Sequence, residues 1–475
     1  MYDIAVVGCG IVGAAAAFAL SRYDVSVVVL EKENDVAAGA TKANSAVVHA
    51  GYDPKPGTLM ARLNVRGNQL TWDLCEALDV PHLRCGSLML AFSDQEVAVL
   101  EEYKGRGETN GVPGLEMISR ARLRGMEPET SMDAAAALYA PTAGVACPWE
   151  LTLAMAECAV GNGAELRLET AVTGIDRIPG GYRLLTENGL VEAGRVLNAA
   201  GVHSAAVHDM IAAPAFRIVP VRGEYYLLDK SEGSRVSRVV FHCPTSRGKG
   251  TLVAPTFHGN LIVGPNVGQP RTPDDTATTA EGLDEVARDA RRLVPSIDLR
   301  AVIRSFAGIR ATADADDFII AEAPDAPGFF DLAGIKSPGL TAAPAIAEAA
   351  VEMLVRSGLA LKQKPRFIGE RKRLRFTELT PREKADLVRS EPAFGRVVCR
   401  CETVTEGEIM AALDAPIPPR SVDGVKRRTG AGMGRCQGGF CGPRVTELLS
   451  EAMGVPAWRI PQDLRGSYQL IRRNG

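Results

Sequence analysis

Four cysteines in the last fifth of the chain have the spacing of ligands for a metal ion or a metal cluster. Cys399 and Cys401 form a C-x-C pair, and after 34 residues Cys436 and Cys441 form a C-x4-C pair. Four thiolates from two tight loops can hold either Zn²⁺ or a [2Fe–2S] cluster. Zinc knuckles usually have C-x2-C spacing, and the glycines around the second pair can donate backbone N–H groups to cluster sulfurs. The pattern therefore favours a [2Fe–2S] cluster over zinc or unligated thiols.

A second group of residues with recognisable chemistry lies at the start of the chain. Residues 2–31 predict an apolar strand, a G-x-G-x-x-G turn, an alanine-rich helix and a second strand that ends on an acid. Gly8 permits the tight turn, Gly10 lets the backbone approach a pyrophosphate, and Gly13 lets helix and strand pack closely. The helix start offers N–H groups to phosphates, and Glu31 can bind a ribose hydroxyl. The motif predicts a dinucleotide site but does not separate FAD from NAD.

Size and composition narrow the class of protein. The 475 residues suffice for two or three domains with a large core. A net charge of −3 and 46% hydrophobic residues argue against disorder and against nucleic-acid binding. The first apolar stretch is interrupted by glycines, which argues against a membrane span, and it lacks the pattern of a secretory leader. We therefore expect a cytoplasmic protein whose ten cysteines do not form a disulfide framework.

The small-residue loop 37–57 follows the dinucleotide motif and has no helical or alternating period. Val47 and Val48 are too apolar for a plain surface loop, so we expect the loop to lie against a flat cofactor. His49 could stand at the reactive ring, although a structural role for a lone histidine stays open. Three polar side chains could hydrogen-bond a pyrophosphate or a ribityl chain: Thr41, Asn44 and Ser45.

Helices are predicted over 58–78, 94–110 and 151–161, the last with Thr152 as its N-cap. A hairpin turning at Asn188-Gly189 then leads to a buried strand that ends in a small-residue turn at Gly201. A hairpin inserted between βαβ units is typical of FAD folds of the glutathione-reductase type. This arrangement favours FAD.

Residues 206–305 predict a mostly antiparallel sheet domain with one amphipathic helix, which would cover a substrate. A strand at 329–333, a Gly/Pro turn and a helix then return to the nucleotide fold. The N–H groups at the start of that helix could stabilise negative charge on a reduced flavin, although an ordinary βα crossover would look the same. Residues 361–394 carry many basic side chains and read as a solvated linker around the first domain, or else as a docking segment for an acidic partner subunit.

The predicted fold is therefore α/β. It combines a Rossmann-like FAD-binding fold of the glutathione-reductase type, an inserted α+β substrate domain and a small helical cluster domain. The boundaries that we expect are 1–84, 146–205 and 306–360 for FAD binding, 85–145 and 206–305 for the substrate domain, 361–394 for the linker and 395–475 for the [2Fe–2S] domain.

Several motifs together carry a resemblance to known families. The first 360 residues resemble the D-amino-acid-oxidase-like (DAO) superfamily of FAD-dependent oxidoreductases, through GCGIVG, ATKANSAVVHAG, VLNAAGVHS, VRGEYYLLD and GIKSPGLTAAPAI. The C-terminal region resembles the BFD-like [2Fe–2S] domain. The two regions together are similar to the catalytic subunits of anaerobic glycerol-3-phosphate dehydrogenases, a resemblance that also rests on the segments PTSRGKGTLVAPTFHGNLIVGPN and FAGIRAT. The segment NSAVVHAGYDPKPGTL also looks like L-2-hydroxyglutarate dehydrogenase.

The resemblance implies a flavin next to His49 and an anionic substrate held by Arg310. Lys336 occupies a turn in which some glycerol-phosphate enzymes also place a lysine, and His258 competes with His49 as the base. Arg247, Lys249 and Tyr225 could add charge or line the pocket. The complete set expected to hold FAD is Gly8, Gly10, Ile11, Val12, Gly13, Glu31, Lys32, Thr41, Asn44, Ser45, Val47, Val48, His49, Val172, Ala200, Gly201, Arg310, Gly334, Ser337, Pro338, Gly339, Leu340 and Thr341.

Three functions remain open on these grounds. The first is oxidation of glycerol 3-phosphate by hydride transfer to flavin N5, with a [2Fe–2S] cluster passing single electrons to a partner subunit or a quinone-linked chain. The second is a dehydrogenase for a 2-hydroxy acid or an amino acid, and the third is an electron-transfer subunit without a small substrate. In each case we expect a hetero- or homo-oligomer with no transmembrane segment of its own, in the cytoplasm or held at a membrane through a partner.

Overall fold

The computed structural model describes residues 1–244 and 250–471. The strands, in chain order, are β1 (Tyr2–Val7), β2 (Val27–Leu30), β3 (Val47–Val48), β4 (His82–Leu83), β5 (Ser87–Ala91), β6 (Glu116–Ser119), β7 (Ala136–Ala140), β8 (Gly144–Ala146), β9 (Glu165–Arg167), β10 (Val172–Ile178), β11 (Gly181–Thr186), β12 (Gly189–Asn198), β13 (Ile218–Leu228), β14 (Val239–His242), β15 (Leu252–Pro255), β16 (Leu261–Gly264), β17 (Val302–Ala313), β18 (Ile319–Glu322), β19 (Phe329–Ala333), β20 (Val397–Cys399) and β21 (Val404–Thr405). The α-helices are α1 (Ile11–Leu20), α2 (Leu59–Ala77), α3 (Asp94–Asn110), α4 (Arg120–Met126), α5 (Pro148–Gly161), α6 (Ser204–His208), α7 (Ala280–Leu293), α8 (Gly339–Arg356), α9 (Pro381–Ser390), α10 (Glu406–Leu413), α11 (Val422–Thr429) and α12 (Gly442–Met453).

The first sheet has the order β10-β11-β12-β1-β2-β9, with β19 added beside β12 and β18 beside β19. Strands β9, β2, β1, β12 and β19 are parallel, whereas β10 and β11 form an antiparallel extension on β12. Helices α1, α2, α5 and α8 bury their apolar faces in one core. This mixed sheet confirms the predicted fold class, because the nucleotide-binding strands are parallel and the hairpin lies at one side. The hairpin turns at Glu187-Asn188, one residue earlier than predicted, because Thr186 pairs with Gly189.

The second sheet has the order β17-β13-β16-β15-β14-β5-β7-β6 and is antiparallel except for the β14–β5 pair. Residues of α7 such as Val286 and Leu293 belong to the core on this sheet. Strand β17 is paired with β13 from Val302 to Ala313. The domain boundary expected between 305 and 306 therefore falls inside a strand of this sheet.

The start of α5 differs from the prediction. The helix begins at Pro148, with Cys147 at the N-cap, because proline is well suited to the first helical position. Thr152 lies one turn inside the helix and its hydroxyl donates a hydrogen bond to the Pro148 carbonyl. The assignment of Thr152 as N-cap was therefore wrong.

Basic residues of the linker pair with acids of the first domain. Arg371 lies 2.8 Å from Glu157, and Arg373 lies 3.1 Å from Glu150. These ion pairs hold this part of the basic run against the first domain, with the arginine side chains mostly buried rather than solvated.

The C-terminal region is small and helical, as predicted. Thr405 and Glu408 form a reciprocal capping box at the start of α10, and Cys399 and Cys441 lie in the local core with Val425 and Leu449. Across the described ranges, no helix combines the length and the apolar character needed to cross a membrane.

Helices α2 and α8 approach closely at Gly67. A Cβ atom at this position would overlap the Thr341 carbonyl oxygen, and backbone cannot move aside cheaply. We expect Gly67→Ala to lower the free energy of unfolding by about 1–3 kcal/mol, the usual effect of overpacking, measured by urea denaturation. Gly105→Ala on α3 is the matched control, because nothing lies within 4 Å of its Cβ position, and it should be neutral or stabilising. Equal stability of the two variants would contradict this packing.

Candidate functional site

The turn between β1 and α1 is closely packed on the loop after β12. Gly8 has a φ of +97°, and a Cβ there would lie 2.6 Å from the Ala199 carbonyl oxygen. A Cβ on Gly13 would overlap the carbonyl of Gly8. Ile11 and Val12 are buried at the helix start, and the Ile11 N–H donates to Thr41 Oγ1 at 3.0 Å. A dinucleotide fits this turn, because the glycines carry no side chains that would keep a pyrophosphate away from the backbone of the turn.

Glu31 is buried at the end of β2 and turns back onto the glycine turn. Its Oε2 accepts from the Cys9 N–H at 2.7 Å, and its Oε1 accepts from the Glu33 N–H at 3.0 Å. Burial raises the pKa of this carboxyl. The Thr170 N–H donates to the Glu31 carbonyl, which brings the start of β10 and Val172 to the same edge. The arrangement suits a ribose and its base.

Lys32 makes contacts with the second sheet's domain. Its Nζ lies 3.4 Å from Asp274 and 3.3 Å from His203 Nε2. The charge of Lys32 is therefore engaged by Asp274, and its role in FAD binding stays a prediction.

A buried polar network supports the turn at Ala200 and Gly201. The Asn198 amide donates to Asp331 Oδ1 at 2.7 Å, His208 Nδ1 lies 2.7 Å from Asp331 Oδ2, and the Ala200 N–H donates to Asn198 Oδ1. Sequence reasoning missed this network. The signal was a polar residue directly after two apolar residues in each of two strands, VLN at the end of β12 and FFD in β19.

The loop before His49 is organised by its own side chains. The Asn44 amide donates to the Thr41 carbonyl at 2.8 Å, and its Oδ1 accepts from the Ala46 N–H. Ser45 lies within hydrogen-bonding reach of the Tyr225 hydroxyl. Val47 and Val48 are buried, as predicted. Asn44 thus shapes the loop, while Ser45 faces the second sheet.

His49 joins this loop to the turn before α8. Its backbone N–H donates to Thr341 Oγ1 at 2.9 Å, and its Nε2 lies 3.2 Å from Ser337 Oγ. The ring stacks on Phe241 of the second sheet, with centroids 5.9 Å apart. An imidazole therefore stands between the dinucleotide fold and the domain that covers it.

The turn 334–341 positions the start of α8. Gly334 has a φ of +65°, which favours glycine, Pro338 is the N-cap, and Gly339 is the first helical residue. Thr341 is fully buried and Leu340 packs against the core. The start of α8 thus lies beside the His49 loop, and the stabilisation of a flavin by its N–H groups stays a prediction.

Lys336 lies on the same turn but pairs elsewhere. Its Nζ is 3.2 Å from Asp316, which also pairs with Lys55 at 2.8 Å. This ion pair holds the Lys336 ammonium at Asp316. The catalytic role of Lys336 stays a prediction.

Arg310 projects from β17 across β13. Its Nη2 donates to the Asn266 carbonyl at 3.1 Å, and a Cβ on Gly223 would lie 2.5 Å from that nitrogen. Tyr225 lies within reach of the guanidinium and stacks on Phe306 at 4.9 Å, and burial raises the pKa of Tyr225. Among the described residues no carboxylate pairs with Arg310, so its remaining donors suit a small anion. The sequence contained the sign of this arrangement in VRGEYYLLD, where a glycine interrupts a strand.

His258 lies in the turn between β15 and β16, away from these groups. Its ring packs on Phe257 at 4.5 Å, and the charges of Glu402 and Lys230 act on it. Burial lowers the pKa of His258 to about 4. The structure thus brings together His49, Ser337 and Thr341, and it places His258 against the C-terminal region. Arg247 and Lys249 lie outside the described residues.

The four cysteines meet as two pairs. The sulfurs of Cys401 and Cys436 are 3.6 Å apart, and Cys399 is hydrogen-bonded to Cys441, which lowers the pKa of Cys399 to about 6. Backbone N–H groups also point at the thiols, from Gly432 to Cys399 and from Phe440 to Cys436. No group of three or more potential ligands converges on one metal position within the described ranges. Two pairs suit a cluster in which each of two irons takes two thiolates, better than a single zinc ion.

Comparison with protein families supports both the predicted FAD site and the predicted cluster site. Residues 3–353 match the model of the FAD dependent oxidoreductase (DAO) family. The chain belongs to this family. Residues 397–451 match the BFD-like [2Fe–2S] binding domain. The protein is thus an FAD oxidoreductase with a [2Fe–2S] cluster, and the cofactors expected from the sequence are confirmed.

Individual relatives cover different lengths of this DAO-family chain. It is 45% identical to a glycerol 3-phosphate dehydrogenase of Caloramator mitchellensis over 99% of this chain and 98% of the relative. The solved structure of the L-alpha-glycerophosphate oxidase of Mycoplasma pneumoniae, with FAD bound, has a TM-score of 0.75 and 31% identity, and the match covers 79% of this chain and 99% of the oxidase. Human mitochondrial L-2-hydroxyglutarate dehydrogenase is 32% identical over 56% of this chain and 60% of the relative.

Proposed function

We propose that the protein oxidises sn-glycerol 3-phosphate to dihydroxyacetone phosphate and passes the electrons singly to an acceptor other than oxygen. The observation that carries the proposal is the match to a glycerol 3-phosphate dehydrogenase at 45% identity, which covers 99% of this chain and so includes both the flavin and the cluster regions. The oxidase with a solved structure matches 79% of this chain over nearly all of its own length, so about a fifth of this chain has no counterpart there.

The chain's own groups have separate tasks in this reaction. Arg310 binds the phosphate through paired N–H donors. His49 accepts the hydroxyl proton on its imidazole, and Ser337 Oγ, which lies 3.2 Å from Nε2, orients the ring. When bound, FAD takes up the hydride and the [2Fe–2S] cluster passes electrons on one at a time. The start of α8 provides N–H groups for the charge that develops.

The proposal also covers the electron acceptor, the oligomeric state and the location of the protein in the cell. We infer a partner subunit or a quinone-linked chain as the acceptor, in a hetero- or homo-oligomer located in the cytoplasm or held at a membrane through that partner. A cluster fused to a flavoprotein supports this inference, because a one-electron carrier is of no use for direct two-electron transfer to oxygen.

Anaerobic bleaching of the flavin tests the substrate. Glycerol 3-phosphate should bleach the flavin absorbance within seconds, whereas L-2-hydroxyglutarate should leave it unchanged. Peroxide formation in air at the rate of substrate turnover would contradict the proposed acceptor. If no small substrate bleaches the flavin but a reduced partner protein does, the chain is an electron-transfer subunit instead.

The second candidate is oxidation of L-2-hydroxyglutarate. It is supported by the 32% identity with the human L-2-hydroxyglutarate dehydrogenase, but that match covers only 56% of this chain. Arg310 would bind a carboxylate as readily as a phosphate, so the bleaching experiment decides between the two.

Arg310 provides a prediction on substrate binding. We expect Arg310→Lys to raise KM for glycerol 3-phosphate by about 10- to 100-fold with a smaller change in kcat, because an ammonium group keeps the charge but loses the planar pair of donors. Steady-state turnover with an artificial electron acceptor across a range of substrate concentrations measures both quantities. Arg304→Lys, on the same strand, is the control and should behave as wild type. A fall in kcat at unchanged KM would rule out a binding role for Arg310.

A further inference from the structure

One large apolar side chain stands out in the solvent next to the cluster cysteines. Phe440 is 87% exposed and immediately precedes Cys441. Its loop is held in shape by Gly438, which has a φ of +87°. An exposed aromatic residue on a fixed loop is a common anchor at protein interfaces.

The two cysteine pairs differ in their access to solvent. Cys399 and Cys441 are buried, whereas Cys401 is exposed and Cys436 is partly exposed. A redox centre ligated by these residues would therefore present the Cys401–Cys436 edge outward. Since electrons move between proteins only at short range, this edge is where an acceptor must approach.

Two exposed arginines flank that edge. Arg400 lies between Cys399 and Cys401, and Arg435 precedes Cys436. Neither forms an ion pair with a carboxylate of residues 1–244 or 250–471, whereas Arg396 and Arg444 close by are both paired with Glu406. Unpaired positive charge at the rim of an interface steers an acidic partner and makes its association dependent on salt.

We propose that Phe440, Arg400 and Arg435 form a docking surface for an acidic one-electron carrier protein, which collects electrons at the Cys401–Cys436 edge. The inference rests on the proposed function only in requiring that electrons reach the cluster. Each alcohol oxidised releases two electrons and two protons, so two carrier molecules are each reduced by one electron. A membrane surface is the less suitable occupant, because one aromatic residue on a loop offers far less apolar area than an amphipathic helix.

Two haem proteins of opposite charge test the surface on the full-length, cofactor-loaded protein. The acidic probe is cytochrome b5 and the basic probe is cytochrome c. We expect cytochrome b5 to be reduced faster at low salt and to slow as salt rises, with cytochrome c showing the opposite trend. The double variant Arg400→Glu/Arg435→Glu should lose about tenfold in the second-order rate with cytochrome b5, and Phe440→Ala should weaken its binding in calorimetry.

Controls separate docking from other effects. Arg382→Glu changes an arginine that is 94% exposed on α9, and Leu190→Ala removes an apolar side chain that is 61% exposed; both should match wild type. The cluster midpoint potential, followed by electron paramagnetic resonance, should be nearly unchanged in Phe440→Ala. The proposal would be overturned if both cytochromes were reduced at equal rates and the variants had no effect. It would also be overturned if the protein bound anionic lipid vesicles and Phe440→Ala abolished that binding. Loss of flavin bleaching by glycerol 3-phosphate in wild type would refute the proposed function, whereas the calorimetric binding of cytochrome b5 would still test the docking surface.

Discussion

His49→Gln should lower the rate of flavin bleaching by glycerol 3-phosphate by about 10²- to 10⁴-fold, the contribution typical of a positioned general base. Glutamine keeps a polar side chain of similar reach but cannot take up the hydroxyl proton. Because the backbone N–H of His49 is held by Thr341 Oγ1, the loop should keep its shape in the variant. Rapid-mixing absorbance under anaerobic conditions measures the rate.

Two further variants distinguish this role from its alternatives. Ser337→Ala removes the group that orients the ring and should cost less than about tenfold. His258→Gln tests the competing histidine, which lies in the β15–β16 turn beside Glu402 and Lys230, and it should bleach like wild type. If His258→Gln rather than His49→Gln abolishes bleaching, the assignment of the base is reversed. Visible absorbance of the bound flavin, unchanged in all three variants, shows that cofactor binding is intact.

Local sequence patterns predicted much of the fold because their physical basis is local. The glycine spacing before α1 and the two cysteine pairs each depend on a few adjacent residues. The helices at 59–77 and 94–110 were predicted to within a residue or so for the same reason. The error at α5 arose because two capping signals competed. Proline at the first helical position was decisive, and Thr152 was left inside the helix.

Contacts between distant segments could not be predicted in this way. Gly223 makes room for Arg310 through a strand pairing of residues far apart in sequence. Lys32 and Lys336 are charged residues in suggestive positions, but their partners, Asp274 and Asp316, come from other segments. The type of a candidate residue is visible in the sequence, whereas the identity of its neighbours depends on the tertiary fold.

A buried charge network between the first domain and the C-terminal region is the clearest case of such a contact. Asp35, which is 1% exposed, accepts a bidentate pair of hydrogen bonds from Arg428, both at 2.8 Å, and a further one from Arg427 at 3.0 Å. Arg427 also pairs with Asp463, which in turn pairs with Lys42 beside the flavin loop. The network ties α11 to the segment that follows Glu31.

Asp35→Asn should destabilise the packing of the C-terminal region on the first domain by about 3–5 kcal/mol, because it leaves the buried Arg428 guanidinium without its countercharge and Arg427 with Asp463 alone. The urea midpoint should fall, and limited proteolysis in the linker around residues 361–380 should become faster. Glu169→Gln is the matched control, since Glu169 pairs with Arg420 across the same two regions at 3.1 Å but at the surface. It should cost less than about 1 kcal/mol.

The difference in stability between wild type and Asp35→Asn should change with pH in one direction only. Burial alone would raise the pKa of Asp35, but Arg428 and Arg427 outweigh it and hold that pKa well below its usual range. A carboxylate with a depressed pKa contributes its full stability above its unfolded pKa of about 3.9 and loses that contribution as the pH falls toward the folded pKa. The gap between wild type and Asp35→Asn should therefore stay constant from about pH 8 to pH 5 and narrow below about pH 4. A gap that narrows near pH 6 instead would assign the effect to another group, because no depressed carboxyl titrates there.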